Sequence, residues 1–64
     1  MPFKKEIIKK KRKESKLAQQ ELAKLLDITK QAVWNIESGI SKPSLEVLEA
    51  LSKVFKCSID DFFK

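Results

Sequence analysis

Apolar residues in this chain recur three and four positions apart, and nowhere do they alternate with polar ones as a half-buried strand requires. Leu45, Leu48, Leu51 and Phe55 stand at steps of 3, 3 and 4, while Leu22, Ala23 and Leu26 fall at i, i+1 and i+4. Spacing of this kind lines one stripe of a helix, so the fold must be built from helices packed stripe to stripe. With one Gly and two Pro in 64 residues, little interrupts them. The expectation is an all-α chain of five short helices forming a single domain over residues 1–64.

Local signals set the expected boundaries. The first helix runs from about Lys4 to Glu14, with Ile7 and Ile8 as its main apolar contacts, and Ser15 and Lys16 lead out of it. A second spans about Gln19 to Leu26. Thr29 is a good N-cap for a third over about Lys30 to Ser38, because its hydroxyl can accept a bond from a free amide of the next turn. Val33 and Ile36 form the buried stripe of that helix, and Gly39 suits its C-cap. Pro43 disfavours a helical residue before it, which makes 40–43 a loop. The fourth helix runs from about Ser44 or Leu45 to Phe55. Ser58 caps a last turn through Phe63, with Asp61 placed as in a capping box.

Size and composition exclude much. A chain this short buries only about 60% of the surface its unfolded form exposes, so its stability is a few kcal/mol and a deep substrate pocket has little room. One Cys and no His leave neither an internal disulfide nor a zinc site of ordinary spacing, as in a reduced, cytoplasmic protein. The longest apolar run is Ala32-Val33-Trp34, far short of a membrane span of about 20 residues. Asp60 and Asp61 are neighbours and point in different directions, so they read as acids of a helix start rather than a catalytic pair. Cys57 reads as a small buried hydrophobe. No enzyme and no cofactor or metal are expected. The net charge of +5 is uneven: residues 1–32 carry ten basic and four acidic groups, residues 33–64 four and five. That excess favours a polyanion, either nucleic acid or an anionic membrane.

The most informative segment is Gln19 to Ile36. Two short helices separated by about three residues can cross closely only where a small side chain sits at the crossing, and Ala23 supplies it. Leu22, Leu26, Ile28, Val33 and Ile36 furnish a shared core. The outward face of the second helix then carries Lys30, Gln31, Trp34 and Asn35. Gln and Asn can pair bidentately with adenine, and Lys with guanine.

The strings Leu17-Ala18-Gln19-Gln20-Glu21-Leu22-Ala23, Leu26 through Val33, Ile36-Glu37-Ser38-Gly39 and Pro43-Ser44-Leu45 together resemble the phage-repressor and Cro type of helix-turn-helix domain, also called Xre-like. The similarity extends over about Ile8 to Phe63, with the helix-turn-helix itself at about 19–37. It implies a five-helix, lambda-repressor-like fold whose third helix enters the DNA major groove. Lys30, Gln31, Trp34 and Asn35 are then the base contacts, and Arg12, Gln19, Thr29 and Lys42 the phosphate contacts. Glu37 matches a mostly structural acid.

Departures from the pattern carry their own expectations. Ala18 replaces a Ser or Thr cap, a change of about 0.5–2 kcal/mol unless another group substitutes. Asp27 stands where Gly is common, and Asp tolerates a left-handed backbone better than most. Lys11 lies at an often apolar position, where its stem can cover core. Trp34 is large for its site and has three readings: groove contact, core filler or protein interface. Phe62 and Phe63 either close a small core or build an isologous dimer on the last helix, placing two recognition helices one DNA turn apart, ~34 Å, over a pseudo-palindromic operator.

The expected function is therefore a sequence-specific transcriptional regulator, a repressor acting by promoter occupancy as a homodimer. The alternative is an antitoxin or immunity-type interaction module whose DNA binding is autoregulatory. A membrane-surface role for the first helix is disfavoured, because Phe3, Ile7 and Ile8 make too narrow an apolar face.

Overall fold

In the computed structural model, which describes residues 3–63, four α-helices follow one another: α1 (Lys5–Glu14), α2 (Gln19–Leu26), α3 (Lys30–Ser38) and α4 (Leu45–Phe55). A 3-10 turn at Ile59–Phe63 ends the described chain, and no strand occurs among the described residues. The expected fifth helix is thus a 3-10 turn. Five residues are too few to repay α-helix nucleation, and the tighter i→i+3 bond of Asp61 N–H to the Ser58 carbonyl, 3.1 Å, takes its place. The Asp61 carboxylate does accept the Ser58 N–H at 3.2 Å, one half of the expected capping box.

The helix starts follow their cap residues. Thr29 Oγ1 accepts the Ala32 N–H at 3.1 Å, and Ser44 Oγ accepts that of Val47 at 3.3 Å. Ala18 has no side chain to offer the first turn of α2. Glu21 reaches back instead and accepts the Ala18 N–H at 2.8 Å, so one donor at this helix start is satisfied despite the missing hydroxyl.

All four helices end alike. Lys16, Asp27, Gly39 and Lys56 each adopt a positive φ, and the residue after each donates to a carbonyl five positions back: Leu17 to Arg12, Ile28 to Ala23, Ile40 to Asn35 and Cys57 to Ser52. This closing bond satisfies helix-end carbonyls and offsets the steric cost of a left-handed residue where no Gly is present.

Ile8, Leu22, Ala23, Leu26, Val33, Ile36, Leu48, Leu51 and Phe62 form the core. Ala23 is 3% exposed, in keeping with its role at the α2–α3 crossing. Phe62, expected at a dimer interface, is instead 0% exposed and plugs the interior. Its carbonyl accepts the Lys4 N–H at 2.8 Å, and the Phe63 ring meets Phe3 edge-on at 5.8 Å, so the last turn is fastened to the start of the chain. The core-closing reading of these rings holds for Phe62. Leu45 also departs from expectation, at 64% exposed. As the first residue of α4 it projects past the edge of the core, and Val47 lies partly buried against that core in the first turn.

Candidate nucleic-acid interface

Three helices meet at one carboxylate. Glu37, near the end of α3, accepts Arg12 Nε at 2.6 Å and Nη2 at 3.3 Å from α1, and Gln19 Nε2 at 3.1 Å from the start of α2. Arg12 Nη1 also donates to the Leu17 carbonyl at 2.7 Å. Both members of the ion pair are 9% exposed, and among the described residues no buried side-chain polar atom lacks a partner. The planar guanidinium suits this role, since one fork can bind a carboxylate and a carbonyl together.

Arg12 therefore does not stand free at the surface to meet phosphate; it is drawn inward as the tie between α1 and α3. A sequence signal for this exists. Ile8 and Arg12 are four residues apart, so they share one face of α1, and Ile8 is 1% exposed. Glu37, expected to be structural, is the buried acceptor of the network.

Beside that network, Gln19, Lys30, Gln31 and Trp34 line one open concavity of about 460 Å³. The short connection between α2 and α3 sets the N-terminal ends of both helices toward it. Lys30 and Gln31 are exposed, and Trp34 is 46% exposed, outside the core as its offset from Val33 and Ile36 requires. Asn35 is only partly exposed, and its Oδ1 accepts Gln31 Nε2 at 3.1 Å. The Gln31 carboxamide is thus held by one N–H while its carbonyl oxygen and second N–H remain available. Thr29 is exposed at the cap of α3, with its oxygen engaged by Ala32. Lys42 is exposed in the loop after α3 and does not border the concavity.

Chemically, this face offers a donor–acceptor amide, an ammonium and a flat indole on a helix about 10–12 Å across, the width of a DNA major groove. Among the described residues no His/Cys/Asp/Glu group is arranged to hold a metal, and no helix is long and apolar enough to cross a membrane. Cys57 is partly buried; that burial pushes its thiol above the ordinary value, Lys11 pulls it down and Asp61 adds to the rise.

A second concavity went unnoticed in the sequence. Lys5, Glu6, Lys9, Lys10 and Lys13 of α1 line a groove of about 390 Å³ that also includes Glu37. The run of five basic residues at 9–13 signalled charge there, but not which of them share a groove.

Comparison with known proteins fits this geometry. The helix-turn-helix family profile matches residues 8–62, and the chain belongs to that family. Its fold is similar to that of the P22 c2 repressor in complex with a synthetic operator, at 32% identity and a TM-score of 0.88, covering 97% of this chain and 94% of that one. The DNA-binding domain of the P22 c2 repressor in solution is similar at 33% identity and a TM-score of 0.88, over 100% and 87%. SinR, a master regulator for biofilm formation solved in complex with DNA, is similar at 30% identity and a TM-score of 0.85, over 94% and 97%. No curated protein matches by sequence.

Proposed function

We propose that this chain is a sequence-specific DNA-binding transcriptional repressor that acts by occupying promoter DNA as a homodimer. The observation that carries the reading is the α3 face of Lys30, Gln31 and Trp34, exposed beside Gln19 in a helix-turn-helix chain. Its structural neighbours include a phage repressor solved with a synthetic operator and a master regulator solved with DNA. Gln31, steadied by Asn35, presents the oxygen and N–H that pair with adenine, while Lys30 suits guanine and Trp34 a thymine methyl. Asn35 acts chiefly by orienting Gln31. Gln19, Thr29 and Lys42 serve the backbone, where contacts fix register rather than sequence. Arg12 has no part in phosphate contact and holds α3 in place.

With Phe62 buried, the pairing surface is assigned to Ile40 and Leu45, 67% and 64% exposed on either side of Pro43. A pair formed through this surface has to set its two α3 helices about one DNA turn, ~34 Å, apart to read a pseudo-palindrome. The alternative reading, a protein-interaction module with autoregulatory DNA binding, draws on the same exposed side chains together with Leu25, 56% exposed. A stoichiometric second chain co-purifying with this one favours it.

Selection of bound fragments from random DNA tests the main reading. The expected result is a pseudo-palindrome with half-sites about one turn apart. No enrichment at moderate salt rejects it.

A further inference from the structure

We infer that the lysine groove on α1 is a second DNA-backbone site, taking the duplex that flanks the sequence read by α3. This rests on the DNA-binding reading above. Lys5, Lys9 and Lys13 stand four residues apart and form one stripe about 12 Å long, with Lys10 beside it. Like charges at this spacing destabilise a helix. Among the described residues the single ion pair is Arg12–Glu37, so none of these ammonium groups is held by a carboxylate. The floor carboxylate, Glu37, is already neutralised by Arg12, and Glu6 offsets one of the four lysines.

The groove therefore keeps a cationic excess that its own carboxylates do not neutralise. A DNA strand presents a phosphate about every 3.4 Å along the axis, so the stripe spans three or four of them. Position favours DNA over an acidic protein. Gln19 borders the recognition concavity, Glu37 borders the lysine groove, and the two are hydrogen-bonded to each other. The two concavities thus adjoin across one contact, and a duplex seated in the first continues past the second.

The test compares the selected binding fragment with and without about ten flanking base pairs on each side, across a salt series, using the intact chain. Wild type is expected to bind the flanked duplex more tightly and with a steeper salt dependence. Lys9→Gln with Lys13→Gln is expected to reduce the slope by about 1.8 and the affinity on the order of tenfold, on the flanked duplex alone, with base preference unchanged. A control with Lys53→Gln and Lys56→Gln removes the same charge elsewhere and leaves the flank effect intact. Equal slopes for the two duplexes, or an equal loss in the control, overturns the groove site and leaves the main reading standing. So does protection of Lys9 and Lys13 by an acidic polypeptide in place of flanking DNA. If wild type selects no DNA sequence at all, the main reading itself fails.

Discussion

The two ends of α3 are built for opposite purposes. Its entry leaves Lys30, Gln31 and half of Trp34 exposed, while its exit buries Glu37 between Arg12 and Gln19 and turns at Gly39 beneath the Lys5 side chain. A helix of nine residues would not hold its shape alone. Tying down one end is what permits the other to keep its polar groups free, because orientation is then supplied by the scaffold rather than by the reading residues themselves. α1 repeats the division: Arg12 faces inward with its fork filled, while Lys9, Lys10 and Lys13 are exposed and, among the described residues, form no ion pair.

Removing the tie is expected to have the largest effect. Arg12→Ala leaves the Glu37 carboxylate buried without its cation, a loss of about 3–5 kcal/mol. A 64-residue domain has only about 3–10 kcal/mol in total, so chemical denaturation should show this variant to have lost a large share of its stability. Replacing both partners, Arg12→Met with Glu37→Leu, should recover most of the loss, because no buried charge is then stranded. If the single variant melts like wild type, the two ends of α3 do not differ in the way described.

The inward turn of Arg12 also marks the limit of what the sequence discloses. Helical stripes, the Thr29 cap and the outward Trp34 follow from local spacing, and all are found. The fate of Arg12 depends on an acid 25 residues away, and a long charged side chain can serve solvent or interior with equal local propensity. Phe62 and Phe63 are adjacent and chemically identical, yet one is core and the other meets Phe3 partly in solvent. Which ring turns inward is fixed by how the last turn docks, a tertiary event with no local signature. Leu45 fits the helical period and still misses the core, because period specifies a face and not where the neighbouring helix ends.

At the entry the expected effects move from stability to recognition. Gln31→Ala should weaken discrimination at one base pair by about 1–3 kcal/mol in competition with variant operators, with no change in melting. Asn35→Ala should relax preference at that same base pair, since it frees the Gln31 amide. A change at a different base pair would make Asn35 an independent reader. At the exit, Gly39→Ala should lower stability by about 1–2 kcal/mol, because φ is +88° and the left-handed backbone disfavours a Cβ. The new methyl would lie 3.0 Å from Cδ and Nζ of Lys5. A flexible side chain can move aside there, so the backbone dominates the loss.

Asp27 is the counterpart of Gly39, the left-handed residue before α3 rather than after it, and its replacement should give the smallest effect. Asp27→Gly relieves a strained φ of 59° in the folded state. It also adds freedom to the unfolded chain, which lowers stability by about 0.4–1 kcal/mol. The two changes oppose each other, and the closing bond from Ile28 to Ala23 is retained, so thermal melting should shift by no more than about 0.5 kcal/mol either way. Gly39→Ala is compensated only in part, since the stiffer unfolded chain returns about 0.4–1 kcal/mol while the strain at φ +88° and the new contact both act against the folded state. Equal losses from the two substitutions would mean that backbone strain is not what separates the two caps, and that the Asp27 side chain contributes a contact of its own to the turn.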